Sequence, residues 1–286
     1  MRLASLIPLA LLATTLACAT TAQPGHAAGA RAPEEARESG HLRLMTYNIK
    51  SATRGLDDVV EVIRSARPDI VALQEVDCRS RRAGRLDQAA VLAERVGLSY
   101  HGHFRTRDMY GGAYGIALLS RFPVESLAQY ALPVNEGGEP RTVVHAVLRV
   151  EGREVSVYLT HLIHSPFRSR IRLRQGVLIA GLLERDSRPR ILMGDFNDGP
   201  DSLTVRLLRR RMVDVFDASG SGPSGTFQLP LPFLPSVRID YVLASDAFTP
   251  LASRVPRVEA SDHYPVIADV RLEQAPDGGP GVSASK

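Results

Sequence analysis

Tryptophan is absent from this chain of 286 residues, and aromatic side chains make up only 6% of it. A protein that grips single-stranded nucleic acid by stacking bases on rings would have little to work with. Lysine is almost missing too: Lys50 and Lys286 are the only lysines among 35 basic residues. Such reliance on arginine fits genomic base composition as well as phosphate binding. A net charge of +4 and a pI near 9.3 suit an anionic substrate but fall short of a protein that coats nucleic acid. There are two cysteines, Cys18 and Cys78, so there is no cysteine cluster for zinc and no disulfide framework. No internal repeat is present, which excludes a solenoid. Beyond the first residues, no apolar run is long enough to span a bilayer.

At the N-terminus, Arg2 precedes an apolar run from Leu3 to Ala17 and then small residues around Cys18 and Ala19, the layout of a signal peptide over 1–19. The string Thr15-Leu16-Ala17-Cys18 also partly matches a lipoprotein box, so the exported product is either secreted or periplasmic, or lipid-anchored to the envelope. Either route removes Cys18 from pairing and leaves Cys78 as a bystander. Residues 20–39 read as a mobile linker and 274–286 as a disordered tail. The domain is expected over 40–273, long enough to fold on its own core.

Within it, Arg190–Asn197 (RILMGDFN) is the most informative stretch. A short apolar run reads as a buried strand that stops at Gly194, followed at once by Asp195 and Asn197. Strand alternation would point the carboxylate and the amide the same way. The pattern repeats elsewhere. His41–Lys50 reads as a strand ending at Asn48, Asp69–Val76 as one ending at Glu75, and Glu154–Leu162 as one ending in Thr160-His161. Ser236–Ala244 carries Asp240, and Tyr264–Leu272 is entered through Ser261-Asp262-His263. Further strands are expected at Ile116–Ser120 and Thr142–Val150, and helices at Leu56–Ala66, Leu86–Val96, Ser169–Glu184 and Ser202–Arg210. This mixture predicts mixed sheets with outer helices rather than a bundle or a pure sandwich. Converging strand ends are a common place to build a site. An inventory of carboxylates, amides and two histidines suits a hard cation such as Mg²⁺, Mn²⁺ or Ca²⁺ better than Zn²⁺. Hydrolysis of a phosphoester needs the same parts: a cation, a positioned water and donors for developing charge.

In these residues the chain resembles the endonuclease/exonuclease/phosphatase superfamily. The matching segments are MTYNI, DIVALQEVD, GIALLSRFPV, THL, ILMGDFND, RIDYVLAS and SDHYPVIADV, in the family's order from Met45 to Val270. One short string would arise by chance; seven in order do not. The resemblance implies a DNase I-like α/β fold: a four-layer sandwich of two packed mixed β-sheets flanked by helices. It also implies an exported bacterial phosphoester hydrolase working with one Mg²⁺ (or Mn²⁺/Ca²⁺). By the same resemblance Glu75 is the principal metal ligand, with Asn48 and Asp262 beside it. Asp195 orients or deprotonates the attacking water and Asn197 helps place it. His263, held by Asp240, and His161 act on the phosphate. Arg141, Tyr114 and Thr226 are weaker matches for phosphate contacts. Lys50 departs from the pattern, standing where some members place a second acid; hence the expectation of one ion.

The substrate cues conflict. Arg79, Arg81, Arg82 and Arg85 crowd the loop after Glu75, and Arg168, Arg170, Arg172 and Arg174 lie beyond His161. Such clusters could track a nucleic acid. The apolar loop 227–235, with Leu229, Leu231, Phe233 and Leu234, could instead meet a membrane around a phospholipid head group. Of its two readings, folding back onto the core is the favoured one. No obligate protein partner is implied, and a non-catalytic binding module is a less favoured reading of the same fold.

Overall fold

Alternation along the first strand supplies two faces at once. In β1 (His41–Asn48), Leu42 and Leu44 join one apolar cluster while Met45 and Tyr47 join another. The same division recurs along the chain and builds layers. The structure is a computed structural model describing residues 38–164, 169–231 and 233–274. The expected signal peptide, the linker up to residue 37, the tail from 275 and Arg168 lie outside the described residues.

The elements after β1 are α1 (Leu56–Ala66), β2 (Ile70–Cys78), α2 (Gln88–Val96), β3 (Tyr100–Met109) and β4 (Gly112–Ser120). Next come β5 (Val124–Leu132), β6 (Arg141–Val150), β7 (Arg153–His161), α3 (Ser169–Arg185), β8 (Arg190–Asp195) and α4 (Leu203–Leu208). The chain ends with β9 (Val213–Asp214), α5 (Val215–Ser219), β10 (Asp240–Ala244), β11 (Phe248–Arg254) and β12 (Val266–Leu272). They form two six-stranded sheets, ordered β11-β12-β1-β2-β4-β3 and β5-β6-β7-β8-β10-β9. The pairs β1–β2 and β7–β8 are parallel, and the other ladders antiparallel.

Three apolar layers hold this together. Leu42, Leu44 and Ile70 meet Val157, Ile191 and Val242 between the sheets. Met45, Tyr47 and Leu73 pack under Val60, Ile63 and Leu92 of α1 and α2. Tyr158, Leu192 and Leu243 pack under Ile179, Leu183 and Val205 of α3 and α4. The result is the expected four-layer architecture. Helix ends follow local rules: the side chains of Asp87 and Ser202 accept from the backbone N–H three residues on, capping α2 and α4. Among the described residues no helix is long and apolar enough to cross a membrane.

Two devices aim side chains at one end of the sandwich. The register of β2 against β4 slips between Gln74 and Val76, so Glu75 sits in a bulge at φ 56° and turns away from the core that its neighbours enter. On β8, Gly194 lies so close to β7 that a Cβ would stand 2.0 Å from the Thr160 carbonyl oxygen. That approach lets His161 and Asp195, the last residues of β7 and β8, lie side by side in register.

Candidate active site

Asp195 is the centre of the site because two ladders and a side chain from the other sheet converge on it. It pairs with His161 across the parallel β7–β8 ladder and with Asp240 across the antiparallel β8–β10 ladder. Asn48, at the end of β1 in the other sheet, reaches over: its Nδ2 donates to Asp195 Oδ2 at 3.1 Å and to Glu75 Oε1 at 3.1 Å. Around the same Oδ2 stand His161 Nε2 at 3.5 Å and His263 Nε2 at 3.8 Å. His263 Nδ1 meets Asp240 Oδ2 at 2.9 Å. One connected chain therefore runs Glu75–Asn48–Asp195–His263–Asp240. Asp262 joins it through Lys50, whose Nζ lies 2.5 Å from Asp262 Oδ2 and whose N–H donates to Asn48 Oδ1 at 3.1 Å.

The remaining expected residues are all near. Strand β8 stops at Asp195, so Asn197 is not in the alternation expected of it; it lies in the left-handed region at φ 51°. Its N–H donates to Asp195 Oδ1 at 2.8 Å and its Nδ2 to the Leu162 carbonyl at 3.1 Å, locking the turn. Arg141 begins β6, antiparallel to β7, so it arrives beside His161 and donates from Nη1 to His161 Nδ1 at 3.2 Å. Tyr114 is buried, and burial together with the nearby Glu75 charge pushes its hydroxyl pKa up. Thr226 is fully buried; its Oγ1 accepts from the N–H groups of Ile239 and Asp240 at 3.0 and 3.1 Å, bracing the start of β10.

Three neighbours were not singled out from sequence. Ser261 Oγ donates to the Asn48 carbonyl at 2.8 Å and ties the Asp262-His263 turn to β1; its signal was its place at the head of SDH. Glu139, two residues before Arg141, receives Arg141 Nη2 at 3.0 Å. His164 Nδ1 faces Asn197 Oδ1 at 3.2 Å.

Burial sorts the charges. Asp195 is pushed up to about 7, by burial first and then by the adjacent Asp240 charge. For His263 burial opposes the cation, but the Asp240 carboxylate outweighs it and raises the ring to about 9. His161 is driven well below the usual imidazole range by burial and then by the Arg141 guanidinium. Asp262 is lowered although burial works the other way, because Lys50 hydrogen-bonds to it.

A hard cation fits this donor set. Glu75 and Asp262 offer carboxylate oxygens, and Asn48 Oδ1 keeps a second lone pair beyond the one facing Lys50. Asp195, Asp240 and His263 form a second group whose ligand atoms lie within 4.8 Å of one another. There Asp240 Oδ1 is buried without a hydrogen-bond partner among the described residues. The His263–Asp240 hydrogen bond occupies part of that second group.

Two arginines of the expected tracks are committed elsewhere, while Arg79, Arg81, Arg85, Arg170 and Arg174 are exposed. Arg82 is spent on buried Asp77, with contacts at 2.6 and 2.8 Å, and Arg172 is buried beside Asp198 at 3.2 Å. Contrary to the favoured expectation, loop 227–235 does not fold back onto the core. Leu231 is 50%, Phe233 78% and Leu234 41% exposed. Phe227 at its base does pack inward, its ring 4.8 Å from that of His263.

Two six-stranded mixed sheets between helices, with carboxylates, amides and histidines gathered where strand ends meet, define a fold of the DNase I-like class. The sequence profile of the Endonuclease/Exonuclease/phosphatase family matches residues 45–263, and the chain belongs to that family. Enzymes of that family act on phosphoesters and are generally dependent on divalent metal. Protein cwh43 of Schizosaccharomyces pombe is 27% identical over 184 residues, 60% of this chain but only 18% of that protein's length. An endonuclease/exonuclease/phosphatase from Beutenbergia cavernae superposes with a TM-score of 0.70 at 26% identity, covering 83% of this chain and 73% of that one. A mannosyl-6-phosphatase of Bacteroides thetaiotaomicron shares the fold with a TM-score of 0.65 at 18% identity, covering 80% of this chain and 99% of that one.

Proposed function

We propose that this chain is an exported phosphodiesterase that uses one divalent ion, Mg²⁺ or else Mn²⁺ or Ca²⁺, held by Glu75, Asp262 and Asn48. The observation that carries the reading is the surroundings of Asp195: a raised carboxylate beside one histidine held cationic by Asp240 and one kept neutral. Asp195, poised near neutral pH, takes the proton of an attacking water, and Asn197 fixes the turn that aims it. His263 carries the proton that the leaving oxygen needs, and His161 donates to a phosphoryl oxygen. The ion, when bound, supplies charge to the phosphoryl oxygens. A diester suits the site better than a monoester dianion, because the nearby cations are already committed: Arg141 to Glu139 and Lys50 to Asp262.

For the substrate, nucleic acid and phospholipid head groups are the two candidates, and exposure of the loop favours the lipid. From Ala218 to Val237 no side chain is charged. The exposed Leu231, Phe233 and Leu234 would enter a membrane surface while Phe227 keeps the loop's base against His263. A phosphate chain would gain nothing from such a tip. Purified protein, offered plasmid DNA, RNA, sphingomyelin vesicles and phosphatidylinositol vesicles, is expected to turn over at least one in Mg²⁺ and none in chelator. Asp195→Ala should abolish that turnover. Activity that survives the chelator would end the metal-dependent reading. Replacing Leu231 and Phe233 by Ser should slow vesicle hydrolysis and spare a soluble chromogenic diester; equal loss on both would remove the lipid reading.

A further inference from the structure

The two histidines that flank Asp195 have opposite partners. His263 Nδ1 faces a carboxylate, Asp240 Oδ2 at 2.9 Å, whereas His161 Nδ1 faces the Nη1 of Arg141 at 3.2 Å. A guanidinium has five N–H donors, no acceptor, and keeps its charge at any workable pH. Nδ1 of His161 can therefore only accept, and the ring's single proton is left on Nε2. That nitrogen is the one turned toward Asp195 Oδ2, 3.5 Å away. The arrangement has little freedom to rearrange. The Arg141 side chain is 3% exposed, and its other terminal nitrogen donates to Glu139 Oε2 at 3.0 Å. Glu139 is itself held by Arg107 Nη2 at 3.2 Å. His161 and Arg141 are both buried, 2% and 5% exposed.

We infer that Arg141 is a positioning residue: by occupying Nδ1 it locks His161 as the neutral Nε2–H tautomer, a fixed hydrogen-bond donor that cannot serve as an acid. The sequence resemblance suggested that Arg141 touches phosphate; its geometry instead has it act through His161. The deep depression of the His161 pKa agrees with this. Proton donation to the leaving oxygen then belongs to His263 alone, and His161 spends its one N–H on the charge that develops on phosphate. This catalytic consequence rests on the phosphodiesterase reading above, while the tautomer itself does not.

The direct test is the ring ¹⁵N spectrum of His161 in the wild-type protein, in chelator at neutral pH, assigned by its loss in His161→Ala. An unprotonated Nδ1 with a protonated Nε2 is expected. A proton on Nδ1, in either the other tautomer or the imidazolium, would overturn the inference. Kinetics on a soluble chromogenic diester in Mg²⁺ supply the second arm. Arg141→Met should lower kcat about tenfold or more and move KM less than about twofold. Placed on His161→Ala, it should cost less than about twofold further, because its route has already been removed. A rise in KM with kcat kept, or equal losses in both backgrounds, would return Arg141 to direct phosphate contact. An inactive wild-type protein would count against the phosphodiesterase reading, and the spectrum would still decide the tautomer.

Discussion

Asp195→Asn should make the metal-free protein more stable while removing its activity. In the fold the Asp195 carboxyl keeps its proton up to about 7, against 3.8 for an ordinary aspartate, chiefly because it is buried and secondarily because Asp240 lies near. Each pH unit of such a shift is worth about 1.4 kcal/mol, so ionising this group inside the fold costs up to about 4 kcal/mol. An amide removes that cost but turns an NH₂ toward one of the donors around it, Asn48, His161 or His263, returning about 1 kcal/mol. A net gain of roughly 1–3 kcal/mol remains, or about 3–8 °C in Tm for a domain of this size. The sign with pH is definite. The folded pKa lies above the unfolded one, so the native state binds the extra proton between 3.8 and about 7, and wild-type stability falls across that window as pH rises. The gap between variant and wild type should therefore be small at pH 5 and near full at pH 8. Thermal melts in chelator at those two values measure it, alongside turnover, which should drop by about 10³-fold or more. A variant that melts below wild type at pH 8, or by the same margin at both values, would refute the burial argument.

Three further outcomes follow from the same geometry. Gly194→Ala places a Cβ 2.0 Å from the Thr160 carbonyl and must part β7 from β8; a loss of roughly 1–3 kcal/mol, with kcat falling, is expected in denaturant melts and turnover assays. Asp77→Ala strips a fully buried carboxylate from Arg82, Ser80 and Ser51 and should cost roughly 2–4 kcal/mol by urea titration, toward the low end because Arg82 can reach solvent. Lys50→Met releases Asp262 from its ammonium partner; calorimetric Mn²⁺ affinity should rise by about three- to tenfold, modestly because the pair is partly exposed, and an unchanged affinity would show that Asp262 is not a ligand.

The strands that could be read from sequence are those buried on both faces or on one. β1, β2, β6, β7, β8 and β12 carry apolar runs because helices or the second sheet cover them. β3, β5, β9 and β11 went unrecognised, and all four are edges of the two sheets. An edge strand is half-solvated and polar: β3 reads YHGHFRTRDM, and β11 holds Pro250 beside a register slip. The site residues were legible because each closes a buried strand, where a polar residue after an apolar run stands out. What joins them was not. That Arg141 would cap a histidine, that Lys50 would pair with Asp262, and that loop 227–235 would stand away from the core depend on contacts between residues distant in the chain.

Backbone geometry carries the rest of the site, and composition gives no hint of it. Lys50, Glu75 and Asn197 all lie at positive φ, 47°, 56° and 51°, a region that side chains with a Cβ enter at a cost of about 1 kcal/mol or more each. None of the three is a glycine, although glycine would relieve the strain. Each instead contributes a side chain that the connected network uses: the ammonium on Asp262, the carboxylate on Asn48, and the amide that pins Leu162. Strain of this kind persists only where the flanking structure over-determines it, and here each residue follows closely on fully buried strand positions such as Tyr47, Leu73 and Met193. The three-layered core thus does more than hold the sandwich closed. It stores the distortion that turns the strand ends toward one another, so a core-loosening substitution such as Leu73→Ala should depress kcat at temperatures well below its own melting point.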